Sequence, residues 1–221
     1  MTTLSRASLA SRIDHPILQP DATRLVIQQL CAEARARALH GVCVNGSRVE
    51  LACSLLEDTG VKVVGLVGFP LGASDADAKR YETDVATDHG AQEIQVVLNI
   101  GRLKDGDRRY VLRELRDVAE AADERPVNVM LETGLLTVEE QLIACELALD
   151  SGIHGVCAGT ELLNAVGIEA VRRLRAALGP RFEVNAWGQI QDTADALTLI
   201  EAGATRLGTS NSEALLLGLA E

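Results

Sequence analysis

Four side chains in this sequence carry groups that could move a proton or polarise a carbonyl. Asp14 supplies a carboxylate and Cys157 supplies a thiol. Gln95 and Asn185 supply neutral amides. A carboxylate can accept a proton, a thiolate can attack a carbonyl carbon, and amide N–H groups can stabilise charge on an enolate oxygen. These four residues are therefore the predicted catalytic residues, for acid–base chemistry on a small carbonyl compound.

Metal and nucleotide cofactors find no support in the motifs. His15, His40, His89 and His154 lie on separate segments, and none of them has the paired spacing of metal ligands. No glycine-rich GxGxxG motif follows the first predicted strand. The sequence predicts no metal site and no cofactor.

The segments that must position these residues alternate between strand-like and helix-like patterns. Short strands that are apolar on both faces and are separated by helices indicate a parallel sheet. Eight such units in 221 residues favour a closed (β/α)8 TIM barrel, an α/β fold, over an open doubly wound sheet, with one domain spanning residues 1–221. The predicted strands are Arg12–Ile17, Gly41–Asn45, Val61–Phe69, Glu93–Ile100, Val127–Glu132, Gly155–Ala158, Glu183–Ala186 and Thr205–Thr209.

The active site of such a barrel lies at the carboxyl ends of its strands. Polar residues at these ends, together with inward positions deeper in the strands, define a candidate substrate site at the barrel mouth. Asn128 is a further inward position. The predicted substrate-binding residues are Cys43, Glu132, Glu161, Trp187, Gln189, Gly208 and Ser210.

Charge and cysteine content exclude several classes of partner. The formal net charge is −11, whereas a nucleic-acid-binding protein needs a basic face, and an acidic chain is also repelled by anionic membranes. No apolar run approaches the roughly 20 residues that span a bilayer. Five cysteines without a CxxC motif favour free thiols and a reducing cytoplasm. The predicted partner is a small molecule, with no nucleic acid and no membrane.

Six segments resemble, in order, the signatures of the deoxyribose-phosphate aldolase family. They are IDHPILQPDAT, VCVNGSRVELA, VVGLVGFPLGA, GAQEIQVVLNIGRLKDGD, ETGLLT and IEAGATRLGTS, and they cover nearly the whole chain. The resemblance implies a (β/α)8 barrel that joins acetaldehyde to glyceraldehyde 3-phosphate reversibly through a lysine Schiff base, without a metal. It is compatible with a homodimer as well as with a monomer.

The departures from the family pattern fall on its catalytic positions. Cys157 stands where the family's V-K-T-S-T-G motif has the Schiff-base lysine, and Asn185 replaces the lysine of V-K-A-S-G-G-I-R. Gln95 replaces the relay aspartate of E-I-D-x-V-x-N. Asp14 and Cys43 match the family pattern.

The positions that hold the substrate phosphate in the family have also changed. Glu161 and Gln189 replace glycines, and Gln191 replaces an arginine. Trp187 enters this region in place of a small serine, while much of Gly208–Ser212 remains. A carboxylate close to a phosphate dianion repels it. We therefore expect an unphosphorylated ligand.

An iminium mechanism would need another amine. Lys62 is predicted at the amino end of the third strand, Lys79 in a helix and Lys104 after the fourth strand, so none is an inward strand residue. Cys157 could be a nucleophile with His15 reaching across the mouth, or a small filler in the vacated lysine position. A structural role is also open for the amides, for Glu132 and for Asp14.

Two functions remain open on the sequence. The favoured one is a repurposed lyase, isomerase or cyclase that acts without an iminium. The alternative is a catalytically dead pseudo-aldolase that binds a ligand or a protein partner. Asp14 close to Cys157 or Asn185 would favour the enzyme, whereas a mouth plugged by Trp187 would favour the dead homologue. A working deoxyribose-phosphate aldolase conflicts with the substituted positions.

Overall fold

The computed structural model describes residues 4–159 and 167–219. Eight parallel strands close into a barrel in sequence order, which confirms the predicted (β/α)8 fold. The strands are β1 (Ile13–Ile17), β2 (Gly41–Asn45), β3 (Lys62–Val67), β4 (Glu93–Val97), β5 (Val127–Leu131), β6 (Gly155–Ala158), β7 (Glu183–Trp187) and β8 (Arg206–Gly208).

Helices surround the barrel and connect successive strands. In the described ranges they are α1 (Arg6–Ala10), α2 (Arg24–Arg37), α3 (Val49–Leu56), α4 (Ala76–Asp88), α5 (Ile100–Lys104), α6 (Arg108–Ala121), α7 (Val138–Ser151), α8 (Ile168–Leu178), α9 (Thr193–Glu201) and α10 (Ser212–Leu217). Short 3-10 turns follow β2 at Gly46–Arg48 and β5 at Thr133–Leu135. Side-chain caps begin several helices, such as Thr137, which forms a capping box with Glu140 at the start of α7.

The predicted strands match the observed ones to within three residues at each end. Two were predicted two or three residues too long at the carboxyl end, and both end early for a local reason. β3 stops at Val67 because Gly68 adopts a positive φ of 66°, which is not an extended conformation. β4 stops at Val97 because the Asn99 side chain accepts a hydrogen bond from the Arg102 backbone and so caps α5.

Side chains alternate between the two faces of the barrel wall. Val42 and Val44 belong to the large apolar core between strands and helices, whereas Cys43 between them belongs to a second cluster inside the barrel. The same alternation continues around the barrel, because successive residues of a strand point to opposite faces. The interior cluster consists of Cys43, Val64, Leu66, Val97, Met130, Cys157 and Trp187.

A buried ion pair joins α4 and α6 outside the barrel wall. Lys79 Nζ donates to Glu114 Oε1 at 2.8 Å and to the Val97 carbonyl at 2.8 Å, and both charged side chains are fully buried. Burial lowers the pKa of Lys79 and raises that of Glu114, in each case against the attraction of the partner. Lys79 is therefore a structural cation and not an amine of the barrel interior.

We expect Lys79→Met to lower the free energy of unfolding by about 3–5 kcal/mol, because it leaves the Glu114 carboxylate buried without its cation. Urea unfolding measures this change. Lys104→Met is the matched control, since Lys104 pairs with Glu140 in partial exposure and such pairs are worth about 1 kcal/mol or less. Equal losses in the two variants would contradict a structural role specific to Lys79.

Candidate active site

The carboxyl-terminal half of the barrel interior is filled by Trp187. Its side chain has no solvent exposure, and it lies over Gly208 of the neighbouring strand β8, where a Cβ atom would overlap the indole ring. Leu18 and Phe69 pack against the interior cluster to which Trp187 belongs. The side-chain amide of Asn45 donates to the Leu18 carbonyl at 3.2 Å and so fixes the loop after β1. Solvent at the mouth is thereby separated from the residues below the indole.

Cys157 and Asn185 are neighbours below the indole. They are register partners on β6 and β7, and the Asn185 amide lies 4.0 Å from the Cys157 sulfur. Both side chains are fully buried, and burial raises the pKa of the Cys157 thiol above its ordinary value. His15 does not reach Cys157, because its ring bonds Ser212 of α10 on the outer face of the barrel. Cys157 is therefore a neutral thiol without a base of this kind.

Asp14 is a fully buried carboxyl group at the seam between β1 and β8. Its Oδ2 lies 3.7 Å from Arg206 Nε, and its Oδ1 lies 4.0 Å from His40 Nε2. Burial raises the pKa of Asp14, while Arg206 and His40 oppose this shift. Asp14 and Cys157 share the barrel interior, where the charge of Asp14 adds to the effect of burial and raises the pKa of the Cys157 thiol. The predicted group of Asp14, Cys157 and Asn185 is thus brought together.

The remaining inward amides lie on β4 and β5. Gln95 and Asn128 are register partners and fully buried. Gln95 Oε1 accepts a weak hydrogen bond from the Cys43 thiol at 3.6 Å, so these two predicted residues are also neighbours. Asn128 fills the space above Gly155 of β6, where a Cβ would overlap its Oδ1.

A charge cluster at the amino-terminal end of the barrel was not predicted from the sequence. Arg206 donates to Glu93 at 2.6 Å and to Glu183 at 3.0 Å, and it also contacts the ring of His40. Burial lowers the pKa of Arg206, but Asp14, Glu93 and Glu183 together raise it above its ordinary value. The available signal was a charged residue at the first position of each of three short strands, β4, β7 and β8.

The barrel interior contains several polar atoms that have no hydrogen-bond partner in the protein. Nine buried side-chain nitrogen or oxygen atoms in the described ranges have no hydrogen-bond partner, and eight of them belong to six inward-facing side chains. An unpaired buried polar group costs about 1–3 kcal/mol. The combined cost of eight such atoms would be comparable to the net stability of a typical domain, which is about 5–15 kcal/mol. The six side chains are Asp14, Gln95, Asn128, Asn185, Trp187 and Arg206.

A cleft of about 470 Å³ opens at the mouth, outside the indole. It includes two of the predicted substrate-binding residues, Gln189 and Ser210, and also Gln19 and Asn211 from neighbouring loops. No lining residue in the described ranges is charged, so the cleft offers neutral amides and a hydroxyl. The described lining residues are Pro16, Leu18, Gln19, Pro20, Gln189, Ser210 and Asn211.

The other predicted substrate-binding residues do not line this cleft. Cys43 and Trp187 are sealed in the interior, and Gly208 lies beneath the indole. Glu132 is nearly fully buried at the end of β5, just before the 3-10 turn. Glu161 lies outside the described residues. The site predicted as one surface is therefore divided between a closed interior and an open cleft.

None of the three lysines, all of which lie in the described ranges, lies at the carboxyl-terminal end of a barrel strand. Lys62 begins β3 at the amino-terminal end, and Lys104 ends α5, where it pairs with Glu140. The described residues contain no cluster of three or more His, Cys, Asp or Glu side chains that could hold a metal ion. No disulfide joins any of the five cysteines, all of which lie in the described ranges. No helix in the described ranges has the length and apolarity to cross a bilayer.

Comparison with known proteins identifies close relatives along nearly the full chain. No sequence-family profile matches the chain. The deoxyribose-phosphate aldolase of Bdellovibrio bacteriovorus is 42% identical over 211 residues, which cover 95% of this chain and 96% of that protein. The deoxyribose-phosphate aldolase of Streptococcus pneumoniae is 44% identical over 207 residues, which cover 93% and 94% of the two chains.

Solved structures show the same relation. The tetrameric deoxyribose phosphate aldolase of Aeropyrum pernix superposes with a TM-score of 0.90 at 28% identity, over 97% of this chain and 92% of that one. The similarity therefore includes the barrel and its connections, and it is not confined to a local motif.

The sole tryptophan offers a direct check on the filled interior. We expect the native fluorescence of Trp187 to resist quenching by iodide, because the indole has no solvent exposure. Stern–Volmer titration of the folded protein measures this, and the urea-unfolded protein is the control in which quenching returns. Native quenching equal to that of the unfolded chain would contradict a buried indole.

The seam carboxyl group makes stability depend on pH in a defined direction. Because the folded-state pKa of Asp14 is raised, its contribution to stability is fully present below pH 3.8 and is lost as pH rises through the folded-state value. Asp14→Asn removes the titrating carboxyl group and therefore removes this loss of stability at higher pH. We therefore expect the unfolding free energy of the variant, relative to the parent, to increase with pH by at most about 1.4 kcal/mol per pH unit.

Chemical denaturation from pH 4 to 7 measures the difference. Asp21→Asn, at an exposed carboxylate, is the control and should give a flat difference. A difference that falls with pH for Asp14→Asn would mean that Arg206 and His40 outweigh burial.

Proposed function

Because this chain belongs to the deoxyribose-phosphate aldolase family, we propose that it is a non-catalytic member that binds an uncharged, polar small molecule in the cleft at its barrel mouth. The proposal has two parts. The first is the loss of Schiff-base chemistry in the interior, and the second is the neutral character of the cleft.

The observation that carries the proposal is the packing of Trp187 over Cys157 and Gly208. On the motif resemblance, the family's Schiff-base lysine corresponds to Cys157, which is fully buried in the same interior cluster as the indole. An aldolase of this type needs an amine that meets the carbonyl carbon of its substrate. A thiol cannot form an iminium, and a substrate at the mouth would not reach it past the indole.

The cleft supports a ligand without phosphate. Gln19, Gln189 and Asn211 present amides, which can donate and accept hydrogen bonds with hydroxyl or carbonyl groups. Phosphate recognition uses cationic side chains or several backbone N–H groups at a helix start. Since the described lining has no cation, the energy of desolvating a dianion would have little compensation there.

A repurposed enzyme that acts without an iminium is the second candidate. Asp14 favours it, because a buried carboxyl group with a raised pKa beside neutral amides is a typical acid–base arrangement. The 42% identity to the Bdellovibrio bacteriovorus aldolase favours retained aldol chemistry on deoxyribose phosphate.

The formation of a homodimer by this chain also remains a prediction.

The decisive experiment is an aldolase assay with deoxyribose 5-phosphate together with borohydride trapping. We expect no glyceraldehyde 3-phosphate above the blank and no mass increase on the chain, because no lysine lies at the carboxyl-terminal end of a barrel strand. The Bdellovibrio bacteriovorus enzyme is the positive control. A reduced adduct on Lys62, Lys79 or Lys104, or turnover without an adduct, would contradict a non-catalytic role.

Binding is tested by thermal shift with sugars and hydroxyaldehydes, each with and without phosphate. We expect stabilisation by unphosphorylated compounds only. Gln189→Ala should then weaken binding by about 2- to 10-fold through loss of one hydrogen bond, while the exposed Gln28→Ala, on α2 away from the cleft, should not. Stabilisation by the phosphorylated compounds would overturn the proposed ligand class.

A further inference from the structure

The unpartnered polar atoms of the barrel interior include acceptors and donors in equal number. The acceptors are the two carboxyl oxygens of Asp14 and the amide oxygens of Asn128 and Asn185. The donors are Gln95 Nε2, Asn128 Nδ2, Trp187 Nε1 and Arg206 Nε. Both polar atoms of the Asn128 amide are unpartnered. Exchanging its oxygen and nitrogen therefore does not change the number of unpartnered donors and acceptors.

These atoms are neighbours along the barrel wall. Gln95 and Asn128 are register partners on β4 and β5, and Asn185 and Arg206 are register partners on β7 and β8. Arg206 Nε is 3.7 Å from Asp14 Oδ2, which is too long for a direct hydrogen bond. All of these side chains are at least nine-tenths buried. One polar surface therefore runs through the interior below the indole.

We propose that this interior is a hydration site, in which several buried water molecules bridge Asp14, Gln95, Asn128, Asn185 and Arg206 and accept a hydrogen bond from the Trp187 indole. A ligand that satisfies both donors and acceptors must itself donate and accept, as a hydroxyl group does. Water is the smallest such molecule. Trp187 and its cluster lie between this space and the mouth, which favours a ligand as small as water over larger hydroxyl compounds.

The hydration site explains how the neutral amides are tolerated in the interior. Buried water makes about three hydrogen bonds to groups that would otherwise lack partners, and its removal is costly. Asp14 gains solvation from the same molecules without contact with the mouth. The proposal does not depend on whether the cleft binds a ligand or whether the protein is catalytic.

The single indole N–H of the chain is the probe. In a ¹⁵N-edited experiment on the folded protein, we expect a dipolar cross-peak between the Trp187 indole proton and water, with the sign of a long-lived contact in both NOESY and ROESY spectra. The ROESY sign separates a dipolar contact from chemical exchange. An indole proton without this cross-peak would overturn the proposed contact between the indole and water.

A stability measurement keeps the proposal testable without relying on one resonance. In a dry interior, replacing an unpartnered amide by an apolar side chain of similar shape should raise Tm. With bridging water, Asn128→Leu should lower Tm and reduce the amplitude of water-deuteron relaxation dispersion, which reports long-lived internal water. Met130→Leu, the next inward residue of β5, is the matched control and should leave that amplitude unchanged. A raised Tm with unchanged dispersion for Asn128→Leu would refute the hydration site.

Discussion

Pairing of β1 with β8 closes the barrel, and the interior depends on how this seam is packed. Only Ile13 with Leu207 and Asp14 with Gly208 form the register pairs there. Gly208 of β8 leaves room for the indole of Trp187 on the neighbouring strand β7. Two residues before Gly208, Arg206 lies close to the Asp14 carboxyl group. A side chain at Gly208 would displace the indole, and loss of Arg206 would leave three carboxyl groups without their shared cation.

Charged and neutral side chains lie at different levels of the interior along the barrel axis. At the amino-terminal end, Arg206 pairs with Glu93 and Glu183, and the His40 ring hydrogen-bonds Glu93, so charge is retained where it can be paired. Toward the mouth, the inward residues Gln95, Cys157, Asn185 and Trp187 are neutral. A buried ion without a partner is far more costly than a neutral amide, which is consistent with the neutral side chains of Gln95, Cys157 and Asn185 in this part of the interior. Asp14 is the residue at which the two levels meet.

Much of the fold could be predicted from local pattern. The strands Gly41–Asn45 and Gly155–Ala158 were predicted with their observed bounds, because short apolar runs between helices leave few alternatives in a parallel barrel. The errors came from Gly68 and Asn99, where a positive φ and a helix cap ended strands whose apolar character continued. The inward set of Asp14, Gln95, Cys157 and Asn185 could be predicted because alternation along a strand assigns each residue to a face.

The sequence by itself determined the barrel, the family and the chemical types of the inward strand residues, since these follow from periodicity and motif order. It left open whether those residues meet solvent. Only the tertiary structure decided that Trp187 turns inward over Gly208 and divides the predicted site into a sealed interior and a neutral cleft. It also decided that Arg206, Glu93 and Glu183 form one cluster. Both outcomes depend on contacts between strands distant in sequence, for which no local pattern carries information.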